Sequence, residues 1–69
     1  MLKKEDAIEI RDRALKAVQE LMDLFHFSQD KCSPEQGYQI KRGVGLAIGK
    51  IQTEILDGVI NREYPELND

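Results

Sequence analysis

Ser33-Pro34-Glu35-Gln36 reads as the start of a helix, and the rest of the fold can be worked out from it. The serine hydroxyl can accept from a free backbone N–H of the first turn, and Gln36 can reach back to the serine N–H, which together make a capping box. Proline suits the first helical position, and Glu35 suits the positive end of the helix dipole. Beyond this start, Ile40, Val44, Ala47, Ile48, Ile51, Ile55 and Val59 recur three or four residues apart, as one face of a helix requires. Pro65 biases Tyr64 away from helical angles, so the spacing predicts a helix over about 34–63 with a short tail at 64–69. A second stripe, turned by roughly 120°, holds Tyr38, Gly45, Gly49, Leu56 and Ile60. Two apolar sides on one helix imply two packing neighbours.

Upstream of the cap, Ala7, Ile8, Ile10, Ala14, Leu15, Ala17, Val18, Leu21, Met22, Leu24 and Phe25 predict a helix over about 4–25. They fill an arc of roughly 200° centred near Ala14 and Val18. Glu5, Glu9, Asp12, Arg13, Lys16, Gln19, Glu20 and Asp23 lie on the other side. Residues 26–33 form the turn. The expected fold is all-α, a two-helix antiparallel hairpin in a single domain, 1–69. Both apolar arcs are wider than one helix–helix contact covers, so two hairpins are expected to pair as a homodimeric four-helix bundle. Arg11, a charge inside the first arc, is expected to pair with Glu54 beside the main stripe of the second helix and so fix the register.

The length argues in the same direction. A chain of 69 residues buries only about 60% of its unfolded surface, and domains this small are commonly reinforced by disulfides, a metal or oligomerisation. Cys32 is the sole cysteine and His26 the sole histidine, so neither an intrachain disulfide nor a four-ligand zinc site can form within one chain. Oligomerisation remains. The five glycines all fall inside the second helix, where each costs about 1 kcal/mol relative to alanine. Gly45 and Gly49 lie four apart on the second stripe, where missing side chains let another helix come close. That reading is preferred to a break near Gly43–Gly45. The expected partner interface is therefore Tyr38, Gly45, Gly49, Leu56 and Ile60.

No residue group reads as catalytic. Asp23 and His26 stand three apart, as in metal-binding bundles, but Asp23 projects from the polar side and no inward carboxylate of the second helix matches its level. Cys32 has no base beside it in sequence and no pocket to work in. Lys41, Arg42 and Lys50 are the only charges between residues 36 and 53, yet they point in different directions. The run Gly43-Val44-Gly45-Leu46-Ala47-Ile48-Gly49 follows no strand, so it is not a nucleotide loop. A net charge of −3 argues against general affinity for nucleic acid or anionic lipid. The amino terminus lacks the apolar run of a signal peptide, and no stretch could span a bilayer. A cytoplasmic, non-enzymatic interaction module without a cofactor is expected, acting as an inhibitor, neutralising protein or adaptor. The alternatives are a small nucleic-acid-associated regulator using Lys41, Arg42 and Lys50, and a metal-binding bundle using Asp23 and His26.

Overall fold

The cap forms as its sequence implies in the computed structural model, which describes residues 1–68. Ser33 Oγ accepts from the Gln36 N–H at 3.2 Å, and Gln36 Oε1 accepts from the Ser33 N–H at 3.0 Å. With Pro34 at the first position, these bonds open helix α2, Pro34–Lys50. Ser33→Ala removes the hydroxyl that fills an otherwise free N–H and lowers stability by about 1 kcal/mol, measurable as a shifted urea midpoint.

The first helix, α1, spans Lys4–Ser28 and starts without a side-chain cap; Glu5 and Asp6 in its first turn face the positive dipole end. It runs three residues past the expected end at Phe25. His26 and Phe27 carry no helix-breaking feature, and the buried Ser28 satisfies its hydroxyl on the Phe25 carbonyl at 2.9 Å. The turn therefore shortens to Gln29–Ser33, where Lys31 Nζ sits 4.2 Å from the centre of the Phe27 ring.

The second arm is helical without a break from residue 34 to residue 63, so no kink occurs at Gly43–Gly45. Its irregularity comes later. Ile51–Ile60 is a π-helix, followed by a last α-helical turn, α3, Asn61–Glu63. The change begins where the Ile51 N–H is shared between the Ala47 and Ile48 carbonyls, and it closes with the Asn61 N–H on the Leu56 carbonyl. Near its start, the Thr53 hydroxyl donates to the Gly49 carbonyl at 2.9 Å, a side-chain bond that perturbs helical ladders. Bonding from i to i+5 underwinds the backbone, so inward positions recur at steps of five and four: Ile51, Leu56, Ile60 and Tyr64. As expected, the helix stops before Tyr64, which takes extended angles (φ −138°, ψ 74°), and Pro65–Asn68 forms a short 3-10 turn. Asp69 of the expected tail lies outside the described residues.

The two arms are antiparallel, with α1 against both α2 and the π-helix. Three interactions tie the chain ends together. Tyr64 Oη donates to the Leu2 carbonyl at 2.7 Å, Arg11 Nη1 donates to the Leu67 carbonyl at 3.0 Å, and Lys4 pairs with Glu66 at 3.3 Å. A backbone hydrogen bond to Glu66, with the Lys4 ammonium beside it, lowers the carboxyl below its ordinary pKa. Beneath this latch lies the core, in which Ala7, Ala14, Leu56 and Ile60 are flanked by Leu2, Ile51, Tyr64 and Leu67. Alanines on α1 let the large residues of the second arm come close. Val44 is the buried apolar residue nearer the turn, where Ser28 is also buried and Phe27 and Leu24 stay exposed. The molecule is a rod of 46 × 19 × 16 Å.

Candidate interaction surface

The outer side of α2 is open. A side-chain carbon built at Gly45 or Gly49 would meet nothing within 4 Å, so no part of the same chain uses the space these glycines leave. They form the floor of a shallow apolar groove whose other lining residues are Leu46, Lys50 and Thr53. Leu46 in its lining stands 62% exposed, and Tyr38, about two turns away on the same side of α2, 68%. Leu46 belonged to neither apolar stripe of the sequence. Its signal was a leucine at an outward position where the helical pattern calls for a polar residue.

Two members of the expected interface lie elsewhere. Leu56 and Ile60 are 8% and 1% exposed, covered by the chain's own α1 and tail. The underwound π-helix moves them inward and leaves Ile55 and Val59, the expected core residues at this level, 37% and 42% exposed. The expected Arg11–Glu54 pair does not form either. Arg11 donates to the Leu67 carbonyl and to Asp12, while Glu54 is exposed and belongs to none of the ion pairs among the described residues. The tail lies over the core at the open end and offers Arg11 a backbone acceptor there.

Between residues 36 and 60 the charges of the second arm separate by sign, while Glu35 and Arg62, nearer its two ends, carry the opposite signs. Lys41, Arg42 and Lys50 are exposed on α2, and Glu54 and Asp57 are exposed on the π-helix. Asp57 accepts from Gln52 at 3.4 Å and from Asn61 at 2.7 Å, which fixes it on the Gln52 side of the helix. At 100° per residue Lys41 and Gln52 fall on the same flank of the glycine groove. On α1, the shallow depression lined by Glu9, Asp12, Arg13, Lys16 and Glu20 is charged and open, and Glu9 pairs with Arg13 at 2.6 Å within it. Further apolar residues flank the α1 core face at heptad spacing, with Ile8, Leu15 and Met22 on one side and Ile10, Ala17 and Leu24 on the other.

Asp23 accepts from Gln19 at 3.2 Å, and His26 is exposed with its ring 5.7 Å from that of Phe25. Among the described residues no three His, Cys, Asp or Glu side chains gather as a metal site, and no helix is long and apolar enough to cross a membrane. The accessible surface is 5362 Å², roughly 1,000 Å² more than the ~4,400 Å² expected of a compact monomer of this mass. The radius of gyration, 14.7 Å, likewise exceeds the ~11 Å of a compact domain of this length. No protein-family model matches the chain, and neither does any curated protein or solved structure.

Proposed function

We propose that this chain is a cytoplasmic, non-enzymatic interaction module without a cofactor, and that its working form is a homodimeric four-helix bundle assembled through the outer side of α2. The observation that carries this reading is the open Gly45–Gly49 groove with exposed Leu46 in its lining and exposed Tyr38 about two turns away on the same side. The surplus of roughly 1,000 Å² is close to the roughly 800 Å² that each partner contributes to a standard interface. Charge favours a second copy as the occupant. A twofold axis through the groove at the level of Ala47 sets two second arms antiparallel. Lys41 of one copy then lies within a turn of Asp57 of the other, on the same flank. Arg42 likewise comes near the level of Glu54 of its partner, while Lys50 lies close to the axis, at the level of the partner's Val44. Rim pairs of this kind add little affinity but set orientation and exclude wrong partners. The charged surfaces of the assembled bundle are then free to engage the protein that it inhibits, neutralises or bridges.

Sedimentation at micromolar concentration tests the assembly, with twice the chain mass expected. Gly49→Leu fills the groove and should give a monomer of unchanged helicity. Lys41→Glu should weaken the dimer, and adding Asp57→Lys should restore it. A wild-type monomer, or a charge swap without rescue, contradicts this arrangement. Salt-sensitive retention on RNA or DNA that survives Gly49→Leu favours the nucleic-acid regulator instead.

A further inference from the structure

Two apolar sets compete for the inward side of Ile51–Ile60. Continued α winding from Ile51 would bring Ile55 and Val59 inward, whereas the π winding brings in Leu56, Ile60 and then Tyr64. The pairs Ile55 with Val59 and Leu56 with Ile60 differ by one methylene, so apolar burial hardly distinguishes them. Backbone bonding favours the α form, since π-helices are rare and usually a single turn long. Something else must hold ten residues in the π form.

The C-terminal latch can do this. Tyr64 reaches the Leu2 carbonyl, Arg11 reaches the Leu67 carbonyl and Lys4 reaches Glu66 with residues 61–67 rotated to the side that the π winding sets. Rewinding Ile51–Ile60 as α would carry all three away from α1. Gly58 points to the same conclusion. A side-chain carbon there would sit 3.1 Å from the Thr53 carbonyl, the acceptor five residues back. In the π form a side-chain carbon here makes a tight contact that the backbone must relieve by a few tenths of an ångström, while an α-helix accepts alanine readily.

We infer that Ile51–Ile60 is a two-register segment, kept in its π register by the closed latch and passing to the α register when the latch opens. In the α register Leu56 and Ile60 turn to the side that carries Tyr38, Gly45 and Gly49 and lengthen its apolar face. Displacement of the tail from Leu2 and Arg11 is then the event that remodels this side of the molecule. The inference does not depend on the dimer, because the register is a property of one chain.

Methyl NOE measurements on the full chain, isotope-filtered to remove contacts between copies, read the register directly. Wild-type protein should connect Leu56 and Ile60 to Ala7 and Ala14. Gly58→Ala, which crowds the π turn, and Tyr64→Phe, which opens the latch, should both exchange these contacts for ones from Ile55 and Val59 to the same alanines. Helicity should be retained. If either variant keeps the wild-type contacts, the inference is overturned. Loss of both contact sets together with the helical signal overturns it too, because a second folded register is what it requires.

Discussion

Ile60→Ala lowers the unfolding free energy by about 2–5 kcal/mol, whereas Val59→Ala next to it costs about 1 kcal/mol or less. The contrast follows from the π-helix. Ile60 is the largest fully buried side chain and lies in a cluster with two alanines and one leucine, so truncating it leaves a cavity that little can move to fill. Val59 is partly open to water and loses only a fraction of its contacts. A chain of this length has a total stability of only about 3–10 kcal/mol, so Ile60→Ala comes near to unfolding it. Urea denaturation of the two variants under identical conditions gives the ranking. The reverse ranking, with Val59 costly and Ile60 cheap, would mean that the arm is wound as α throughout.

The same pair of residues marks the limit of what the sequence discloses. The cap at Ser33, the helix stop before Pro65 and the wide apolar arc of α1 are local signals, and each appears in the structure at or near its expected place. The winding of Ile51–Ile60 is not local. Ile51, Ile55 and Val59 satisfy the α period as well as Ile51, Leu56, Ile60 and Tyr64 satisfy the wider one. What separates them is tertiary, namely the tail folded back over Leu2, Ala7 and Arg11. Arg11 illustrates a second limit. Its acceptor is the backbone carbonyl of Leu67, and carbonyls are present at every residue, so side-chain pattern carries no sign of this bond. The glycine groove was legible in part. Gly45 and Gly49 share one side of α2, and that side is open. The attachment of Leu56 and Ile60 to that side presumed uninterrupted α winding.

Ala7→Leu tests the other side of the same contact and should destabilise the hairpin by about 1–3 kcal/mol. Alanine and leucine have nearly equal helix propensity, so α1 itself is indifferent to the change. The cost is steric. Ala7 is fully buried within the cluster formed by Ile60, Leu56 and Ala14, and Leu2, Tyr64 and Leu67 close over that cluster. Three added carbons must displace either the second arm or the tail. The tail is the weaker restraint, held by the Tyr64–Leu2 and Arg11–Leu67 hydrogen bonds and an exposed Lys4–Glu66 pair, and exposed pairs contribute little. Leucine at position 7 should therefore lift the tail first. Amide exchange would become faster at Leu67, whose N–H donates to the Tyr64 carbonyl at 3.0 Å, while α2 keeps its protection. The opposite exchange at Leu15, on the exposed flank of the same helix, provides the control. Leu15→Ala should leave the tail amides untouched. If Ala7→Leu were neutral, the close approach at this end would have to be loose in solution, and the latch could not hold the register of the π-helix.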